Sequence, residues 1–282
     1  LGVLVHIFLE GLSAMARSLE CGDMVVHAST QHPTEIQHKV AHALHVPMHA
    51  VRVETRRMGG GFGGKESQGN ALAIACAVVA TATGKPTKMR YDRDDDFMIT
   101  GKRHDFRIAY RVVFNEDGVI SGVEFEQYAR CGWAQDLSLP VADRAMLHAD
   151  NAYHLPHVRI ESHRLRTNTQ SATAFRGFGG PQGMLGIERV MDHIAHTLGK
   201  DAVAVRQANY YAAGVEGGQP PAPAAPPRSL SGKMKEADTA SRGAEEIVED
   251  TDAQRADAEQ TTPYGQVVED FELRGLTDTL MT

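Results

Sequence analysis

The chain has 282 residues, 42% of them apolar and 23% charged, with a net charge of −7. It is long enough to bury one large core or two smaller ones, and its acidity argues against non-specific nucleic-acid binding. Cys21, Cys76 and Cys131 lie far apart and form no CxxC pair, which argues against a cysteine-ligated zinc or iron–sulfur centre in this chain and suits a reducing compartment.

The opening LGVLVHIFLEGL is short and has no basic start, so it makes a poor signal peptide, and no transmembrane run follows. It also lacks an initiator Met and reads as the middle of a longer chain. Met24–Ser29 reads as a strand. A helix is expected from Pro33, with Ile36, Val40 and Leu44 on one face. His49–Arg57 alternates and predicts a strand running into the glycine-rich stretch RRMGGGFGGKES, Arg56 to Ser67. Lys65–Gly84 predicts a largely buried helix with Cys76 as a small core residue and Gly84 as its stop. Phe106–Phe114 and Val119–Ala129 flank the turn signal Asn115–Gly118 and predict a hairpin. His157–Thr167 reads as a further strand, and Gly183–Lys200 and Asp201–Tyr211 as helices.

The composition then changes. Residues 213–260 are first rich in Pro and Gly, then acidic; ten acids against five bases between Glu216 and Glu259 leave 10 − 5, or −5, in that stretch alone. So few apolar residues do not repay the entropy of ordering, and a linker or disordered insertion is expected. Residues 261–282 regain an amphipathic pattern and read as the start of an incomplete second unit, the first unit being residues 1–212.

Glycines between Gly59 and Gly64 allow backbone N–H groups to approach a ligand closely. A triphosphate, a dinucleotide and another anionic cofactor are the competing occupants. Gly59 to Lys65 meets the first seven places of a phosphate-binding P-loop, but Glu66 stands where a hydroxyl should hold magnesium. The dinucleotide pattern GxGxxG fits Gly59, Gly61 and Gly64, yet no acidic residue is clearly placed for a ribose. A second loop, TAFRGFGGPQGM from Thr173 to Met184, repeats Gly-Phe-Gly-Gly before a predicted helix. Two helix N-termini aimed at one flat anionic assembly, or two unrelated tight turns, both satisfy this pattern.

Five segments in order, STQHPTEIQHKVAHAL, RRMGGGFGGKES, YDRDDDFMITGKRHDFR, QDLSLPVADRAMLHADNAY and TNTQSATAFRGFGGPQG, resemble the molybdopterin-binding part of the xanthine dehydrogenase/aldehyde oxidase family, in particular the large subunit of xanthine dehydrogenases. The resemblance covers about residues 5–212 and resumes at TPYGQ. It implies an α+β fold of mixed sheets with packed helices. It also implies a molybdenum ion in its sulfido form, held by the dithiolene of a pterin and not by side chains, and hydroxylation of purines (hypoxanthine to xanthine to urate) with oxygen from water. Electrons would leave through 2Fe-2S clusters and FAD on a partner chain, in a cytoplasmic heterotetramer of two large and two small chains, with no nucleic acid and no membrane.

Residue by residue, Gln31 matches the glutamine that hydrogen-bonds a molybdenum oxygen. Phe62, Gly63 and Arg176 match backbone contacts to the cofactor and the molybdenum ligands, and Phe178 matches the aromatic side chain that packs on the substrate ring. Glu66 and Arg144 match the carboxyl and guanidinium that distinguish purine from aldehyde substrates: a purine is polar and gains negative charge under attack, which a guanidinium stabilises. The chain departs from the family in two ways. The general-base glutamate, in a Gly-Glu-Pro context, has no counterpart here, and Leu4 and Val5 replace a polar pair. An aldehyde or N-heterocycle hydroxylase of the same family and a non-catalytic remnant are the alternatives, and the isolated chain is expected not to turn over purine.

Overall fold

A computed structural model describes residues 6–212, 260–269 and 271–281. The linker expected over residues 213–260 therefore lies outside the described residues but for Gln260.

Two sheets carry the fold. The first has the order β3-β2-β1-β4, from β1 (Ser13–Ser18), β2 (Met24–Ala28), β3 (Val51–Glu54) and β4 (Thr87–Arg90). β1 runs antiparallel to β2 and β4, whereas β2 and β3 are parallel, because the crossover helix α1 (Pro33–Leu44) joins them. Strand alternation sends Ala14, Ala16, Met24, Val26 and Val51 inward, where α1 and α2 (Asn70–Thr83) cover them with Ile36, Val40, Leu72 and Cys76. Each fully buried Leu or Ile of this core contributes about 1.5–3 kcal/mol. Left-handed Gly84 (φ 66°) ends α2, and its N–H bonds the Ala80 carbonyl.

The second sheet has the order β5-β6-β7, from β5 (Phe106–Phe114), β6 (Ile120–Gly132) and β7 (Val158–Arg166). β5 and β6 form the expected hairpin, and β7 joins β6 in parallel. α5 (Gly180–Leu198) and α6 (Ala202–Ala208) close its core through Ile187, Val190, Met191, Ile194 and Val205. Asn209 locks this end of the domain: its side-chain oxygen accepts from Ile120 N–H, and its amide donates to the Gly118 and Val205 carbonyls. The α+β class with mixed sheets is thus the observed one.

Three helices depart from the sequence expectation. α2 begins at Asn70 rather than Lys65, because the backbone of Lys65 is bound to Gln31 and residues 66–69 are spent on bends and turns. Glu66 is consequently not a first-turn helical acid. The helix α3 (Arg93–Ile99) follows an Asp92 N-cap whose carboxylate accepts from Asp95 N–H at 2.8 Å; its acidic sequence carries no apolar period. α4 (Ser138–Met146) carries Arg144 and has no side-chain cap. Thr261 and Val267 bridge a turn, and α7 spans Leu273–Met281. α7 docks on the end of α6, where Gln207 donates to Asp278 at 2.9 Å, Arg274 donates to the Gln207 carbonyl at 3.1 Å and Phe271 meets the rings of Tyr210 and Tyr211.

Candidate functional site: two glycine turns and the Gln31 amide

The two Gly-Phe-Gly-Gly segments adopt the same backbone. Phe62 and Gly63 have φ of 52° and 92°, and Phe178 and Gly179 have 47° and 96°. In each, the fourth residue donates to the carbonyl of the first, Gly64 to Gly61 at 2.8 Å and Gly180 to Gly177 at 2.9 Å. These φ signs and bonds are those of type I′ turns, which place a phenylalanine in a left-handed position that bulky residues avoid. Only the second turn leads directly into a helix, α5; the first is separated from α2. The expectation of two helix N-termini therefore fails for the first loop, and whatever it offers a ligand comes from the turn itself.

The first turn packs on Ala174, in the segment that leads into the second. A Cβ on Gly63 would stand 2.8 Å from the Ala174 carbonyl carbon, and a Cβ on Gly64 would stand 2.6 Å from the His6 ring. His6 occupies the gap. Its Nε2 lies 2.9 Å from the Ala174 carbonyl, which can only accept, so the ring carries its proton on Nε2. Its ring lies 4.5 Å from that of Phe175. Burial is the main reason that its pKa is lowered to about 4, so it is neutral at pH 7.

Gln31 is oriented by the first turn. Its Oε1 accepts from Gly63 N–H at 2.9 Å and from Lys65 N–H at 3.3 Å, and its own N–H donates to the Lys65 carbonyl at 2.8 Å. With the oxygen committed to two donors, the amide cannot be flipped, and Nε2 is left as an outward donor with no partner among the described residues. Gly61 must be glycine for this: its Cβ would fall 2.5 Å from Gln31 Oε1. The N–H of Gly63 is spent on Gln31, whereas the N–H of Phe62 has no partner among the described residues.

The second turn is seated on α4. A Cβ on Gly179 would lie 2.0 Å from the Val141 carbonyl oxygen, and one on Gly183 2.1 Å from that of Ala145. This contact sets Phe178 beside the helix that carries Arg144. The start of α4 is held by buried His104, whose Nε2 lies 2.8 Å from Ser138 Oγ and whose pKa burial lowers to about 4. Arg103 braces the turn from behind, donating to the Arg176 carbonyl at 2.6 Å with its guanidinium 4.2 Å from the Phe175 ring centre. Sequence reasoning missed His104 and Arg103 altogether.

The structure places Gln31, Phe62 and Gly63 in one cluster and Arg176, Phe178 and α4 in another, joined through His6 and Ala174. Arg144 and Arg176 are exposed, Phe62 is half-exposed and Phe178 partly buried. Glu66 follows the first turn, and its N–H donates to the Gly63 carbonyl at 3.3 Å. Burial pushes its carboxyl above the usual range; nearby His32 opposes this and Asp136, just before α4, adds to it. Asp136 in turn accepts from Gln68 at 3.1 Å, and Gln68 accepts from Gly101 N–H at 2.7 Å. The surface clefts lie elsewhere. One of about 430 Å³ opens beside Glu10, Arg57 and Met58 at the base of the first loop, and another of about 500 Å³ is lined by Tyr110, Arg189, Asp192, His193 and His196; neither contains Glu66, Arg144 or Phe178. No cluster of three His, Cys, Asp or Glu able to hold a metal occurs among the described residues.

The model of the molybdopterin cofactor-binding domain matches residues 1–210. Xanthine dehydrogenase of Drosophila subobscura is 43% identical over 209 residues, 74% of this chain and 16% of that protein. Xanthine dehydrogenase 1 of Arabidopsis thaliana is 43% identical over 210 residues, 74% of this chain and 15% of that protein. The chain therefore spans about a sixth of the length of these relatives. Among solved structures, aldehyde oxidoreductase from Desulfovibrio gigas superposes with a TM-score of 0.68 at 26% identity, over 74% of this chain and 23% of that one. Quinoline 2-oxidoreductase from Pseudomonas putida 86 gives the same TM-score at 24% identity, over 74% and 27%, and supports the fold alone. The match to residues 1–210, about three quarters of the chain, makes the chain a member of the molybdopterin cofactor-binding domain family.

Proposed function

We propose that this chain is the first cofactor-binding domain of a molybdenum hydroxylase acting on purines, and a fragment of that enzyme. The observation that carries the reading is the Gln31 amide. Its oxygen is locked onto the first glycine turn, so its Nε2–H is presented outward as a neutral donor. A neutral donor suits an oxygen ligand on an anionic metal–pterin group, since it binds without altering the group's charge. The Phe62 N–H at the crest of the first turn, with Arg176 on the second, would complete that contact. The residues present fit that group through the outward Gln31 amide and the Phe62 N–H, which has no partner among the described residues. When bound, such a cofactor supplies the oxidising centre for hydroxylation with oxygen from water.

The protein's own contribution is position and electrostatics. Phe178, held in a left-handed turn against α4, would offer a ring face to a flat heterocycle. Burial raises the Glu66 pKa, and its carboxyl group would hydrogen-bond a ring N–H or oxygen. Arg144 on α4 would stabilise the negative charge that develops on the ring under attack. The similarity to xanthine dehydrogenases, over 74% of the chain, supports purines over aldehydes as substrates. Passage of electrons to 2Fe-2S clusters and FAD on a partner chain, a heterotetramer and a cytoplasmic setting belong to the same proposal. No segment matches the family's general-base glutamate, so the chain alone should not turn over purine.

The test is Arg144→Met in the full-length protein. It should cut xanthine turnover by about 10²-fold or more, the loss seen when a transition-state charge partner is removed, and leave molybdenum content unchanged. Unchanged xanthine kinetics in that variant would remove Arg144 and the purine argument with it.

A further inference from the structure

We infer that the Glu10–Lys65 ion pair is a positioning device that holds the first glycine turn, and with it the Gln31 amide, in its ligand-facing geometry. Lys65 occupies the lysine place of the failed P-loop pattern, where a phosphate-binding lysine would reach out to its ligand. Here it does the reverse. Its side chain is 0% exposed, its ammonium contacts Glu10 Oε1 and it stands 4.5 Å from the centre of the Phe8 ring.

Glu10 closes the loop at both ends. One carboxylate oxygen accepts from Gly59 N–H at 2.5 Å, where the loop begins. The other accepts from Lys65, where it ends, and from Ser29 Oγ at 3.1 Å, two residues before Gln31. The Glu10 pKa is lowered: its desolvation pushes the other way, and the hydrogen bonds and charge from Lys65 together with the backbone N–H groups outweigh it. The Lys65 backbone then meets Gln31 from both sides, donating to its Oε1 and accepting its N–H, while the Lys65 carbonyl also accepts from Thr30 Oγ1 at 3.0 Å. Side-chain burial of Lys65 and orientation of Gln31 are therefore one constraint. Neither Glu10 nor Lys65 faces the ligand side; both act through Gln31 and are positioning residues. What the amide is positioned for rests on the function proposed above; the clamp itself rests on geometry alone.

Removing one partner of a buried ion pair leaves a buried charge uncompensated, whereas two partners that act as a unit give non-additive losses. The experiment is amide hydrogen exchange on the 282-residue chain as wild type, Lys65→Met, Glu10→Gln and the double variant. The Gly63 and Lys65 amides are the reporters, because both donate to Gln31 Oε1, and the amides of Ile187–Ile194 in α5 are the internal reference. Each single variant should accelerate exchange at the reporters by at least ~10-fold and leave α5 unchanged, and the double variant should be no faster than the worse single one. Wild-type rates at Gly63 and Lys65 in Lys65→Met would overturn the clamp. So would equal acceleration in α5, which marks general destabilisation, or losses that simply add. The double variant covers the case in which a single variant does not fold, since it leaves no charge buried and unpaired; wild-type exchange at Gly63 and Lys65 in it would likewise overturn the clamp. A full-length wild-type protein that retained no pterin would count against the proposed function and would leave the exchange result standing.

Discussion

Replacing Gly63 with alanine separates two costs that the structure assigns to one residue. Gly63 has φ 92°, and a Cβ there would stand 2.8 to 3.0 Å from the carbonyl carbon, carbonyl oxygen and Cβ of Ala174. Gly84, at the end of α2, has φ 66° and nothing within 4 Å of its missing Cβ. Both substitutions incur a left-handed backbone cost of about 1–2 kcal/mol, offset by about 0.4–1 kcal/mol from a less flexible unfolded chain. Gly84→Ala should therefore lose less than about 1.5 kcal/mol. Gly63→Ala adds overpacking against backbone, about 1–3 kcal/mol, since Ala174 cannot retreat without moving the second turn. The difference of roughly 2 kcal/mol corresponds to about 4–8 °C in melting temperature for a domain of this size. Parallel thermal and urea melts of the two variants measure it. Equal losses would show that the turns are not in the contact that brings the two halves of the site together.

Acid should loosen the same junction. His6 and His104 have pKa values lowered by burial to about 4 in the folded chain, against 6.5 ordinarily. Unfolding therefore takes up protons between these values, so stability is complete above pH 6.5 and falls as pH drops toward 4, by about 2 kcal/mol for each histidine between pH 6.5 and pH 5. A urea midpoint that stays flat from pH 7 to pH 5 would contradict this. Asp201 caps α6 by accepting from Val203 and Ala204 N–H, each at 2.9 Å, so Asp201→Ala should cost ~1 kcal/mol in the same melts, and a change under 0.3 would refute the cap. Gln31→Glu keeps the acceptor that orients the side chain but replaces the outward donor with an acceptor oxygen; it should leave the melting temperature within about 2 °C while lowering molybdenum content of the full-length protein, and undiminished metal would exclude Gln31 as a contact.

Much of this architecture was legible because local chemistry and fold agree. Pro33 with Ile36, Val40 and Leu44 predicts α1, Asn115–Gly118 predicts the β5–β6 turn and Gly84 predicts the end of α2. What escaped was set by contacts distant in sequence. α2 starts late because Gln31, 34 residues earlier, claims the Lys65 backbone. α3 is started by the Asp92 cap and buries only Asp96, and α4 is nine residues long with its period carried by Val141, Ala142 and Ala145, too short and weakly apolar to stand out. At the site, the repeated Gly-Phe-Gly-Gly signalled two turns, but not that the first packs on Ala174, in the segment leading into the second. Lys65 could have been suspected, since a lysine inside a glycine loop that fails as a P-loop needs another partner; Glu10, 55 residues earlier, carries no local signal. Arg103 and His104 sit in YDRDDDFMITGKRHDFR, where nothing local distinguishes a buried brace from a surface cation.

The most direct measurement is xanthine-to-urate turnover by the full-length protein carrying this chain, co-expressed with a flavin and iron–sulfur partner and assayed alongside its molybdenum content and an aldehyde substrate. Urate formation at full molybdenum occupancy, with little aldehyde oxidation, is the predicted result. Molybdenum present with aldehyde oxidised and no urate formed would contradict the purine assignment of Glu66 and Arg144.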